Sequence, residues 1–237
     1  MKEKTIGILG GMGPEATLLM FAKILEHTPA SKDQEHLRVI IDNNPKIPER
    51  LPAILGVGEN PVPMMVESGR SLIRAGADFI VIPCVSAHFF LQELREQLNI
   101  PILSIIDKTV GEVENYPQRL QTVGLLAAEG AIRGGLFQEE FLKKGIKTLV
   151  PEGADLQQLM SAIFSLKDTK DGSNRKTIKK EVIAISNRLI QKGAKGIIAG
   201  CTEISIVINP KDLSVPIFDT LTILSRAAIE EAGSQAL

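Results

Sequence analysis

Cys84 and Cys201 are the only thiols in this chain of 237 residues. A thiolate is an effective base and a thiol an effective proton donor near neutral pH, so two cysteines serving one carbon are equipped for proton transfer. Cys84 stands in Ile82-Pro83-Cys84-Val85-Ser86-Ala87-His88, and Cys201 in Ala199-Gly200-Cys201-Thr202-Glu203-Ile204. Each follows a Gly-Ala turn and a short apolar run, Gly76-Ala77 to Val81 in one case and Gly193-Ala194 to Ile198 in the other. Such runs read as buried strands, which places each cysteine where a strand gives way to a loop.

The cysteines lie 117 residues apart, and Ile6-Gly7-Ile8-Leu9-Gly10 aligns with Val123-Gly124-Leu125-Leu126-Ala127 at the same shift. Two matches at one offset predict a duplicated α/β unit. The expected fold class is therefore α/β, with two pseudo-symmetric open lobes of mostly parallel sheet and a cleft between them. Residues 1–116 with 215–237 are assigned to the first lobe and 117–214 to the second. The polar stretch Asn115-Tyr116-Pro117-Gln118 marks the boundary. Val215-Pro216-Ile217-Phe218 echoes Ile100-Pro101-Ile102-Leu103, so the C-terminus is expected to return to the first lobe.

Composition narrows the class of partner. With 44% hydrophobic and 23% charged residues the chain is ordinary for a soluble globular protein, and its length supports a core without disulfides or metals. A net charge of −1 makes no electrostatic case for nucleic acid or an anionic membrane, which leaves a small molecule as the expected partner. Two cysteines without a C-x-x-C motif predict free thiols in a reducing compartment, the cytoplasm. The apolar stretch from Thr5 is broken by Gly10-Gly11-Met12-Gly13-Pro14-Glu15, so no secretory or membrane segment is expected there.

The elements that must position these residues follow in order. A strand over Thr5–Leu9 leads through the glycine turn to a helix from Pro14 to about Glu26. Gly11-x-Gly13-x-x-Ala16 matches a dinucleotide fingerprint in form, but Asp42, at the end of the next strand, lies 29 residues past Gly13 instead of about 20. The turn is read as a generic one in which glycines let a ligand approach backbone N–H groups. Beyond Asp42 runs a long polar loop whose Arg50 either clamps a carboxylate or is solvated. Ala87–Leu98 is predicted as a helix capped by Ser86, whose amino end would lower the pKa of Cys84. His88, in its first turn, reads as a histidine settled by a hydrogen bond in preference to an acid or base. In the second half, strands are expected near 121–126, 146–149 and 196–199, and helices near 132–144, 155–166 and 175–191. Lys167, at a helix end, faces either a ligand or the helix dipole.

The opening Ile6–Pro14, the Asp42–Arg50 loop, Ile82-Pro83-Cys84 with Ala87-His88, and Gly200-Cys201-Thr202-Glu203 together resemble the aspartate/glutamate racemase family, most closely the aspartate racemases. The resemblance covers nearly the whole chain. It implies a cofactor-independent amino-acid racemase, using no metal, with a site between two lobes and a homodimeric assembly. Cys84 and Cys201 match the family's two opposed catalytic cysteines. Arg50 matches its arginine for the substrate's side-chain carboxylate, and Lys167, with Lys170 close by, its second-lobe lysine. Met12, Val85, Ser86, Thr202 and Glu203 fall at the remaining substrate-binding positions. The chain departs from the family at Val85 and Ser86, where Asn and Thr are usual, and at Ala128 and Ala131, where relatives often carry threonine.

The implied chemistry is two-base racemisation of aspartate. One cysteine removes the α-proton as thiolate while the other, as thiol, delivers a proton to the opposite face. Rival readings are a decarboxylase or isomerase of a small dicarboxylate, or a racemase of another amino acid. A non-catalytic dicarboxylate binder and a nucleotide-dependent oxidoreductase are further alternatives, as is a pyridoxal enzyme, although no lysine is marked as its Schiff-base residue.

Overall fold

A computed structural model describes residues 3–168 and 175–237. Its contacts divide the chain into two compact units. The first runs to Lys108 and takes in Leu221–Leu237, and the second is Thr109–Thr220.

In the first unit, β1 (Ile6–Gly10) pairs in parallel with β2 (Val39–Asn43) and β3 (Phe79–Val81), and β3 pairs with β4 (Ile102–Leu103). The strand order is β2-β1-β3-β4. Helices α1 (Pro14–His27), α2 (Arg50–Ile54), α3 (Val62–Arg74), α4 (Leu91–Gln97) and α5 (Ile105–Glu114) follow the strands. Pro14 opens α1, where its missing N–H costs nothing. A core of Leu9, Met12, Ile47, Met65, Ile80 and Ile82 fills one side of this sheet, with Cys84 half-buried against it.

The second sheet repeats the first. Strands β5 (Thr122–Ala127), β6 (Lys147–Leu149), β7 (Ile197–Gly200) and β8 (Ile217–Asp219) pair in parallel in the order β6-β5-β7-β8. Between them lie α6 (Glu129–Arg133), α7 (Leu136–Lys143), α8 (Gly153–Asp168), α9 (Arg175–Gln191) and α10 (Thr202–Val207), and α11 (Thr220–Glu231) ends the fold. Leu126, Leu159, Ile185, Ile197 and Ile204 form its core, with Cys201 half-buried against it. The duplicated α/β architecture expected from the sequence is present in both units.

Several local expectations change. Only the final helix groups with the first unit: β8 completes the second sheet as the counterpart of β4, so the chain divides after Lys108 and Thr220, against expected boundaries at 116/117 and 214/215. The first division falls inside α5, where no Pro or Gly cluster announces it. The polar loop beyond Asp42 contains α2, and the helix expected at 132–144 breaks at Gly134-Gly135, with Gly135 at φ +65°.

The glycine turn also differs in kind from the expectation. Gly11 has φ +92°, and a Cβ there would stand 2.2 Å from the Asn44 carbonyl carbon. What approaches Gly11 closely is the main chain of the following loop, and its N–H donates to Thr17 Oγ1 at 2.9 Å. This packing ties the Asp42–Arg50 segment to the end of β1 and leaves the Gly11 N–H engaged, unlike a phosphate cradle.

Gly11→Ala should therefore lower stability by about 2–5 kcal/mol, through positive φ and overlap with backbone together. Gly76→Ala, at φ +95° with nothing within 4 Å, should cost only about 1–2 kcal/mol. Urea midpoints at unchanged m-value check the contrast.

Candidate active site

Parallel strands deliver their carboxyl ends to one edge of each sheet, where open α/β folds bind ligands. Cys84 lies three residues beyond β3, and Cys201 directly follows β7. Both have extended backbone, φ −143° and ψ 108° at Cys84 against φ −140° and ψ 137° at Cys201, Cys84 ahead of a 3₁₀ turn and Cys201 ahead of α10. Neither cysteine forms a disulfide, and both are half-buried.

The turn after Cys84 is a 3₁₀ segment over Val85–Phe90, with α4 starting only at Leu91. Ser86 caps neither element. The expected helix dipole behind Cys84 is therefore replaced by a short turn whose N–H groups close on nearby carbonyls, as Ala87 N–H does on Cys84 O at 3.2 Å. Val85 is buried and Ser86 half-buried.

His88 explains the tight turn. It is only 6% exposed, and its Nδ1–H donates to the Cys84 carbonyl at 3.0 Å while Nε2 accepts the Ile105 N–H at 3.1 Å. Both ring nitrogens are used, which fixes the neutral tautomer with the proton on Nδ1. Burial, the largest cause, pushes its pKa down to about 4, against an opposing pull from the carbonyls of Cys84 and Leu103. His88 is the hydrogen-bonded histidine that the sequence favoured.

Around Cys201 the groups are more polar. Its Sγ–H donates to Glu203 Oε2 at 2.8 Å, and Thr202 Oγ1 donates to the same oxygen at 3.0 Å. Glu203 is buried at 6% exposure, and Thr202 is half-buried.

The remaining expected site residues are placed as follows. Met12 belongs to the first core, so its position offers a ligand main chain more than side chain. Arg50 opens α2 and is half-buried; one terminal nitrogen donates to Pro48 O at 2.9 Å and Ile47 O at 3.3 Å, while Nε is buried without a partner. Lys167 lies on α8, but its side chain and the whole of Lys170 fall outside the described residues. Ala128 is the N-cap residue of α6, and Ala131 is fully buried, so the latter is a packing position that a threonine would overfill.

Sequence reading missed Thr17, Ser205 and Asp219. Ser205 Oγ–H donates to Asp219 Oδ1 at 2.7 Å, and Thr220 Oγ1 donates to Ala199 O at 2.9 Å, joining the end of β7 to the end of β8. The available signal was positional, since Ser205 lies 117 residues after His88. Among the described residues, no group of three or more His, Cys, Asp or Glu is placed to hold a metal ion, and no helix is long and apolar enough to cross a membrane.

Comparison with known proteins agrees with this architecture. The model of the family described as Asp/Glu/Hydantoin racemase matches residues 9–228. The broad specificity amino-acid racemase RacX of Bacillus subtilis (strain 168) is 24% identical over 229 residues, covering 94% of this chain and 96% of its own. Among solved structures, Picrophilus torridus aspartate racemase aligns with a TM-score of 0.85 at 26% identity, over 99% of this chain and 96% of that one. An aspartate racemase homologue from Pyrococcus horikoshii OT3 aligns with a TM-score of 0.79 at 26% identity, over 98% of this chain and 100% of that one.

Burial of neutral His88 has a measurable consequence. Its folded pKa of about 4 lies below the ordinary 6.5, so between these values the unfolded chain holds the extra proton. Stability should therefore fall as pH drops from about 6.5 to about 4, by an amount on the order of 3 kcal/mol. In His88→Gln that part of the pH dependence should vanish, as read from urea midpoints across the interval.

Proposed function

Because the chain belongs to the Asp/Glu/hydantoin racemase family, we propose that it racemises aspartate, with Cys84 and Cys201 as the two acid/base groups. The observation that carries the reading is that two half-buried cysteines, neither in a disulfide, occupy equivalent positions at the carboxyl edges of two like sheets.

In the proposed cycle Cys84 begins as thiolate and takes the α-proton from one face. Cys201 begins as thiol, its proton held toward Glu203, and gives that proton to the other face. The substrate leaves inverted, and the cysteines have exchanged roles. One proton is taken and one is given, so none is gained or lost, and exchange with solvent restores the starting thiolate and thiol before the same enantiomer is turned over again. Arg50 receives the side-chain carboxylate: its partnerless Nε and remaining terminal nitrogen offer the donor fork that a carboxylate satisfies. Thr202 and Glu203 orient the amino group, and Lys167 of α8 adds a cation for the substrate's carboxylates. The reading needs no cofactor, and it needs a reducing compartment such as the cytoplasm to keep both thiols free.

One observation favours a second substrate class. Val85 is buried beside Cys84 and, like Ala128, offers no side-chain hydrogen bond. A substrate with fewer polar groups than aspartate would leave fewer of them unsatisfied there, each such loss costing about 1–3 kcal/mol. Racemisation of another small amino acid is therefore the alternative, and the name of the Bacillus subtilis relative is in keeping with it.

Proton NMR in D2O with purified protein under reducing conditions tests both. L-Aspartate should lose its α-proton signal as D-aspartate appears, and a panel of other amino acids run in parallel identifies any better substrate. Cys84→Ala and Cys201→Ala should each lower racemisation by about 10²–10⁴-fold. A fully active Cys201→Ala would overturn the two-base reading. Tight dicarboxylate binding without exchange of any substrate would mark a binder instead.

A further inference from the structure

The residue four positions after each cysteine performs the same task in both units. His88 follows Cys84 and Ser205 follows Cys201, and 205 − 88 repeats the offset of 117. In the first unit, Ala87 N–H and His88 Nδ1–H both donate to the Cys84 carbonyl, and His88 Nε2 takes the N–H of Ile105, two residues past the end of β4. In the second unit, Ile204 N–H at 3.0 Å and Ser205 N–H at 3.3 Å donate to the Cys201 carbonyl. The single hydroxyl proton of Ser205 goes to Asp219, the last residue of β8. In each unit one residue thus joins the cysteine's carbonyl to the end of the neighbouring fourth strand, by different chemistry at the same place in the fold.

The geometry points to His88 and Ser205–Asp219 as positioning residues, each holding the main chain of its own cysteine where the thiol meets the α-carbon. This rests on the reading of Cys84 and Cys201 as the two bases. No side chain caps the element that follows either cysteine, and the anchored carbonyl is one bond from the Cα that carries the thiol. A displacement of about 1 Å at a reacting group lowers rates by about 10²-fold, which makes such anchors consequential.

The test uses a consequence of two-base chemistry. A variant that impairs one cysteine loses α-proton exchange from the enantiomer whose proton that cysteine removes. The other enantiomer still gives its proton to the intact thiolate, which then returns deuterium from D2O to the same face. Pure L and pure D substrate, chosen as the amino acid turned over fastest, are therefore followed separately in Cys84→Ala, Cys201→Ala, His88→Asn and Ser205→Ala. The two cysteine variants should show opposite preferences. His88→Asn should match Cys84→Ala, with exchange from the same enantiomer depressed about tenfold more than from the other. Ser205→Ala should match Cys201→Ala and show the opposite bias.

Equal loss from both enantiomers in the anchor variants, with opposed losses in the cysteine variants, overturns the positioning role and leaves the two-base reading standing. Equal losses in the cysteine variants themselves overturn that reading, and the anchors' role with it. Absence of exchange by the unaltered protein with any amino acid does the same. Should His88→Asn fail to fold, Ser205→Ala decides, because it removes a single half-buried hydroxyl from α10.

Discussion

Parallel pairing sends every strand of a sheet toward the same edge, and the placement of both cysteines depends on that constraint. In each unit the central pair, β1 with β3 or β5 with β7, is buried and apolar, so its register is set by packing rather than by the residues that follow. Whatever comes next in the chain is delivered to the carboxyl edge. Cys84 and Cys201 are what come next, and their extended backbones continue the strand direction before the chain turns.

The turns after the two cysteines use different residues to a similar end. In the first unit a buried imidazole takes two hydrogen bonds that a solvated histidine would leave to water, and burial keeps it neutral. In the second, a serine and an aspartate span the corresponding distance. The groups nearest the thiols differ more. Val85 follows one cysteine, while Thr202 and Glu203 follow the other, and the buried carboxylate of Glu203 accepts from both the Cys201 thiol and the Thr202 hydroxyl. A duplicated scaffold thus gives its two cysteines unlike neighbours.

The glycine turn shows how a motif changes meaning in context. Read alone, Gly11-x-Gly13-x-x-Ala16 raises a nucleotide. In the fold, the positive φ of Gly11 and its missing Cβ make room for the Asn44 main chain, and Thr17 takes its N–H. The same packing holds the loop that carries Arg50, whose position is completed by the carbonyls of Ile47 and Pro48. Glycine here serves chain–chain contact, not ligand–chain contact.

Much of this was legible in the residues themselves. The offset of 117, repeated by strands and cysteines, determined the duplicated α/β class, and apolar runs ending at Cys84 and Cys201 determined where each thiol would stand. Strand and helix positions followed from local patterns, which depend on near neighbours. What only the tertiary structure decided depends on residues far apart in sequence. The 3₁₀ turn after Cys84 exists because His88 meets Ile105. The place of β8 in the second sheet depends on its pairing with β7, and no local pattern distinguishes that from a return to the first. The buried state of Ala131 and the orphaned Nε of Arg50 are likewise properties of what surrounds a residue, which sequence order does not state.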